Sequence, residues 1–166
     1  MTVNILSNNL SLLKYLNPKA YEVINKTHPS LEYEVSLSQS GLPTLSYLGI
    51  KGKKKYLLSK YDPAQEAKRF IKSLDTSECT NFIVIGIGLG YHITELIKTT
   101  SEQSRILVME NDKSLIRLAF ETNDLKLILT HPGLTLVFSD QQKDTIEVLE
   151  KEKVNFILNG YQLIQQ

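Results

Sequence analysis

Three glycines and one acid are the residues of this chain best suited to chemistry. They lie in the stretch from Thr80 to Glu110. Asn81-Phe82-Ile83-Val84-Ile85 leads into Gly86-Ile87-Gly88-Leu89-Gly90-Tyr91-His92. Ile93 to Thr99 follows at helical spacing, and then Arg105-Ile106-Leu107-Val108-Met109-Glu110. A strand, a glycine turn, a helix and a second strand ending in an acid are the parts of a nucleotide-binding βαβ unit. Glycine lets backbone N–H groups approach a ligand, and a helix N-terminus stabilises an anion with its partial positive charge. Glu110 stands 24 residues after Gly86, about where an acid meets ribose hydroxyls. Gly86, Gly88, Gly90 and Glu110 are therefore the candidate cofactor-binding residues.

Each of them also has a structural explanation. A tight strand-to-helix turn needs glycine whether or not a ligand binds. Glu110 could cap the helix starting near Lys113, and Asp112 could do so equally well. His92 could meet an anion or simply decorate the first helical turn. The spacing Gly-x-Gly-x-Gly resembles the turn of S-adenosylmethionine-dependent methyltransferases and spermidine synthases more than that of dehydrogenases. It departs from methyltransferases at Val84, where they often place an acid. No Gly-Lys-Ser/Thr follows, which argues against a phosphate loop.

Other chemistries lack their residues. His28, His92 and His131 are scattered without metal-ligand spacing, and Cys79 is the single cysteine, so no metal site and no internal disulfide are expected. No Gly-x-Ser-x-Gly elbow marks a serine hydrolase, and no catalytic residue is assigned. Lys+Arg number 19 against 18 Asp+Glu, so no basic field recruits nucleic acid. The dense cluster Lys51-Gly52-Lys53-Lys54-Lys55 suits a solvated turn that discourages edge pairing, or a contact with an anionic polymer. No apolar run approaches the roughly 20 residues of a membrane span. The start Met1-Thr2-Val3-Asn4 lacks signal-peptide character. With a lone cysteine, these features suggest a cytoplasmic protein without nucleic-acid or membrane partners.

The elements that must hold the glycine turn follow from periodicity. Ile5, Leu6, Leu10, Leu12, Leu13 and Leu16, spaced mostly three or four apart, mark an amphipathic helix over 4–16. Asn17-Pro18 supplies an N-cap and first-turn proline for a second helix bearing Ala20, Val23 and Ile24. From Leu31 the period becomes two, and strands are expected to about Leu37, over Thr44–Ile50 and over Lys55–Ser59. Such an antiparallel meander is too small to bury its own core. Asp62-Pro63 opens a helix to about Leu74, and Asp75-Thr76-Ser77-Glu78 connects it to the glycine unit. After Glu110 come a helix over Lys113–Thr122, a short helix over Leu125–Leu129, a strand over Leu134–Phe138, a helix over Gln141–Glu150 and a fourth strand over Val154–Leu158. Alternating strands and helices predict an α/β, Rossmann-like (methyltransferase-like) parallel sheet of order 3-2-1-4. The expected divisions are N-terminal helices over 1–30, the meander over 31–61 and the Rossmann-like domain over 62–166. Four parallel strands are fewer than such folds usually carry, which suggests a fragment of a longer protein.

Several segments together resemble one family. Gly41-Leu42-Pro43-Thr44-Leu45, Tyr56-Leu57-Leu58-Ser59-Lys60-Tyr61-Asp62-Pro63, Glu66-Ala67 and Ile85-Gly86-Ile87-Gly88-Leu89-Gly90-Tyr91-His92 are similar to the amino-terminal part of the bacterial motility accessory factor proteins. The resemblance runs from about residue 31 to about 112. It implies a flagellin glycosyltransferase that transfers a nonulosonic acid, pseudaminic or legionaminic, from its CMP-activated form to Ser or Thr. The family's catalytic segment falls beyond Gln166, so the resemblance assigns no catalytic residue here. It implies an accessory domain whose partners are flagellin and the remainder of its own chain. The alternative is a small nucleoside-dependent enzyme holding S-adenosylmethionine or a CMP-sugar on Gly86, Gly88, Gly90 and Glu110. A third possibility is an interaction module working through the lysine turn and the exposed meander strand.

Overall fold

A computed structural model describes residues 4–49, 52–76, 79–138 and 142–165. Ile50, Lys51, Ser77, Glu78 and Gln141, each part of a sequence expectation above, lie outside the described residues, as do Met1, Thr2 and Val3.

Two helices open the chain, α1 (Ile5–Leu16) and α2 (Pro18–Lys26). Asn17 caps α2 as its sequence suggests, accepting the Ala20 N–H at 3.0 Å, with Pro18 in the first turn. The strands β1 (Tyr33–Leu37), β2 (Pro43–Leu48) and β3 (Lys54–Tyr56) form an antiparallel sheet in chain order. The third strand is shorter than expected, because Leu57 and Leu58 both turn back to donate their N–H groups to Leu45 O. Helix α3 (Pro63–Ser73) begins at Asp62, whose carboxylate accepts the Gln65 N–H at 2.9 Å.

The parallel layer consists of β4 (Asn81–Ile85), α4 (Tyr91–Thr99), β5 (Arg105–Glu110), α5 (Lys113–Thr122), α6 (Lys126–Leu129), β6 (Leu134–Phe138), α7 (Gln142–Asn159) and β7 (Gln162–Gln165). Its strand order is β6-β5-β4-β7, all neighbours parallel. Numbered among themselves these strands read 3-2-1-4, the expected Rossmann-like order. One correction concerns the fourth strand. Val154–Leu158 is the last part of α7, and the strand is Gln162–Gln165, beyond Gly160. Gly160 takes a positive φ of 68°, the conformation that ends a helix, and the chain then reverses into the sheet.

Alternation along the parallel strands sends side chains to two different cores. Phe82, Val84, Ile106 and Val108 face the larger one, with α1, α2, α4, α5 and α6 supplying Leu13, Ile24, Ile93, Phe120 and Ile128. Ile83, Leu107 and Val137 face the other way, against Phe156 of α7. The N-terminal helices thus share the core of the α/β layer.

A buried amide ties them to it. Asn9 is 1% exposed. Its Nδ2 donates to Phe120 O at 2.9 Å and Asn123 O at 2.7 Å, and its Oδ1 accepts the Leu125 N–H at 3.0 Å. These bonds satisfy the backbone where α5 gives way to α6. Asn9→Ala deprives one backbone donor, Leu125 N–H, and two carbonyl acceptors, Phe120 O and Asn123 O, of their side-chain partner, and should cost about 2 kcal/mol, read from urea unfolding. An unchanged midpoint would show that water replaces the amide without loss.

Candidate functional site

The glycine turn closes the carboxyl end of β4, beside the partner strand β5. Gly86, Gly88 and Gly90 have φ of 91°, 50° and 85°. Gly90 is the most constrained. It is the left-handed N-cap of α4, and a Cβ there would lie 2.9 Å from Leu125 Cδ2 and 3.0 Å from Ile128 Cδ1. Glycine at this position is what lets the turn press against α6. The intervening side chains point inward. Ile87 and Leu89 are each 1% exposed, Ile87 in the main core and Leu89 in a separate cluster with Leu45, Leu58 and Leu118.

Glu110, at the end of β5, meets the backbone of the turn itself. Its Oε2 accepts the Ile87 N–H at 3.1 Å and lies 3.9 Å from where a Gly86 Cβ would stand. Its Oε1 accepts the Asp112 N–H at 2.9 Å. Both oxygens therefore serve the chain's own backbone, and a ribose binding here would have to share them. Helix capping falls to Asp112, which accepts from Ser114 and Leu115 N–H at 2.8 and 3.4 Å. Glu110→Ala removes the acceptor of a buried N–H in the turn. A loss of about 2 kcal/mol in unfolding free energy is expected. A cost below about 0.5 kcal/mol, the scatter of surface substitutions, would show that Glu110 does not hold the turn.

His92, in the first turn of α4, is 2% exposed. Its Nε2 lies 3.1 Å from Gly86 O and Nδ1 has no partner among the described residues. Because Gly86 O can only accept, the ring proton sits on Nε2 and the unpartnered Nδ1 is an acceptor. Burial outweighs the help of that carbonyl and pushes the pKa down to about 4. The ring is a neutral internal fastener at neutral pH.

The meander sits over the turn. Leu58 Cδ2 is 3.7 Å from a Cβ placed on Gly88, and Leu45 is fully buried beside it. Polar contacts fix this seat. Tyr33 donates its hydroxyl to Asp112 Oδ2 at 2.6 Å, and Tyr91 donates to Pro43 O at 2.9 Å. Burial, reinforced by the Asp112 carboxylate, pushes the Tyr33 phenol up and keeps it protonated. Glu66 of α3 accepts the Ser59 N–H at 2.8 Å. Sequence reasoning missed Tyr33, Leu45 and Leu58 as neighbours of the turn. Their only signal was alternation, which says that a face is covered but not by what. On the far side of Gly90 a cleft of about 290 Å³ opens between α3, α4 and the segment joining α5 to α6, and is lined by Tyr91, Lys98, Asn123 and Asp124. Lys98 there is paired with Glu95 at 2.6 Å.

Among the described residues, no group of three or more His, Cys, Asp or Glu could hold a metal ion. No described helix is long and apolar enough to cross a membrane. Lys54 of the basic cluster pairs with Glu34 at 2.9 Å and lies over the Tyr56 ring, on an edge strand whose three residues are exposed.

The architecture is that of a Rossmann-like α/β protein with an antiparallel meander covering its glycine turn. A MAf glycosyltransferase from Magnetospirillum magneticum AMB-1 shares this fold at a TM-score of 0.70 and 11% identity. The likeness covers 99% of this chain and 32% of that one, so the chain spans about a third of its length. MNMC2 from Aquifex aeolicus gives a TM-score of 0.39 at 17% identity, over 83% of this chain and 56% of that one. No protein-family model and no curated protein sequence matches the chain.

Proposed function

We propose that this chain is an amino-terminal accessory domain of a cytoplasmic protein O-glycosyltransferase of the motility accessory factor type, non-catalytic by itself. Its partners would be flagellin and the remainder of a longer chain, and the parent enzyme would transfer a nonulosonic acid from a CMP-activated donor. The observation that carries this is the extent of the structural likeness. It takes in 99% of the chain, and so the helices, meander and parallel layer together, at a TM-score of 0.70. Three segments that bear the sequence resemblance also meet in space. Pro43 and Leu45 of β2, Leu58 after β3, and Leu89 and Tyr91 at the glycine turn form one seat. On this reading the turn is a joint that holds the meander.

A second reading keeps Gly86, Gly88, Gly90 and Glu110 as a site for S-adenosylmethionine or a CMP-sugar. The meeting of Glu110 with the turn favours it. Leu58 over Gly88 weighs against it. Titration calorimetry with S-adenosylmethionine, CMP and a CMP-activated nonulosonic acid separates the two. The accessory reading expects no heat from S-adenosylmethionine and retention of flagellin on the immobilised chain. Micromolar binding of S-adenosylmethionine, abolished by Gly88→Val, would replace it with the second.

A further inference from the structure

Among the described residues no strand pairs with the outer edge of β6, and this edge forms the floor of a groove. Ile106 N–H donates to Gly133 O, so the alternation of a parallel ladder turns Thr135 and Val137 toward β5. The N–H and C=O of Leu136 then face away from the sheet. Two cavities of about 400 and 280 Å³ run along this edge. They share Asn17, Leu136 and Val148, which makes them one trench, with α2 as one wall and α7 as the other.

The trench has apolar walls and particular polar needs. Ala20 and Val23 line one side and Val148 the other. His131 lines its far end, and Gly133 N–H donates to His131 Nδ1 at 3.2 Å. The ring proton of neutral His131 is thereby placed on Nε2, which is sealed from solvent and has no partner among the described residues. On the rim, Lys151 is paired with Glu147 at 2.7 Å, whereas Lys19 is exposed and has no ion-pair partner among the described residues. The groove therefore offers strand-edge hydrogen bonds, apolar walls and one spare cation.

We propose that the β6 edge binds an extended peptide, which adds to the sheet as a parallel or antiparallel strand. Its backbone meets Leu136, its alternate apolar side chains enter the trench, and an acidic residue pairs with Lys19. A strand's regular display of backbone donors and acceptors is what this floor complements. The five residues of β6 span about 17 Å at about 3.3 Å per residue, enough for a peptide of similar length. This inference is independent of the proposed function.

The test is selection of a displayed random heptapeptide library on the full chain, followed by amide hydrogen exchange with a synthetic peptide of the enriched sequence. The expected result is enrichment of alternating apolar residues with an acid, binding weakened about tenfold or more by Lys19→Glu, and slowed exchange at the Leu136 N–H. Lys19 is on the surface, so this variant should keep the fold, and the exchange measurement needs no variant. No enriched sequence, or binding that leaves Leu136 exchange unchanged, would overturn the proposal. Sedimentation equilibrium showing a dimer that itself protects Leu136 would also overturn it, assigning the edge to a second copy of this chain.

Discussion

Gly133→Ala is expected to cost about 4 kcal/mol or more, roughly a thousandfold in the ratio of folded to unfolded chains. Gly133 ends the turn that leads into β6. A Cβ there would stand 2.0 Å from Ser104 O and 3.1 Å from Ser104 C. Both are backbone atoms, just before β5, so no side chain can rotate away. The same glycine accepts the Ile106 N–H through its carbonyl at 2.9 Å. Relief would have to separate the start of β6 from β5 and break the pairing of Leu134 with Ile106. Gly160→Ala is the control, since no atom of the described residues lies within 4 Å of its added Cβ. Only the strain of its positive φ applies there, about 1 kcal/mol. Equal urea midpoints for the two variants would mean that the β5–β6 approach has slack.

Much of this fold was legible because its signals are local. Asn17, Asp62 and Asp112 cap helices where their types and spacing suggested, since an N-cap is made by one side chain and a backbone N–H two or three residues further on. β4 and β5 read clearly because central parallel strands are apolar on both faces. The fourth strand failed for the same reason in reverse. Gln162-Leu163-Ile164-Gln165 lies at an edge and fully buries only Ile164, while Leu163 stays 56% exposed, so its pattern is faint. Val154 to Leu158 is richer in apolar residues, yet it continues a helix already laced by Glu147–Lys151 and Glu150–Lys153 pairs.

The candidate site was legible in part for a related reason. Three glycines before a helix announce their turn, and an acid at the end of the next strand lies within reach of it. What covers that turn depends on a meander some thirty to fifty residues earlier, and Leu58 looks like any core leucine until the chain is folded. Asn9, Gly133 and His92 have the same character. Each is decided by a contact distant in sequence or by burial, and residue type carries little of that information.

His92 should make the fold acid-sensitive, and substitution should remove that sensitivity. Its folded pKa, pushed down to about 4 by burial, lies below the ordinary value of 6.5. A pH unit or more above 6.5 the ring is largely neutral in both folded and unfolded chains and adds little pH dependence. As the pH falls from 6.5 toward 4, the unfolded chain takes up a proton that the folded chain refuses, and stability drops. The total loss across that window is about 3 kcal/mol, of which about 2 kcal/mol is reached by about pH 5. Carboxylates titrate in the same range, so the informative quantity is the difference between wild type and His92→Gln. Glutamine can still donate to Gly86 O but carries no titrating ring. The variant is expected to be less stable than wild type at pH 7.5, where loss of ring packing dominates, and to close that gap as the pH falls. Urea unfolding at about pH 7.5, 6 and 5 reads this directly. Parallel curves for the two proteins would mean that the protonated ring is tolerated inside the fold. In that case the turn that seats the meander opens more easily than its buried imidazole implies.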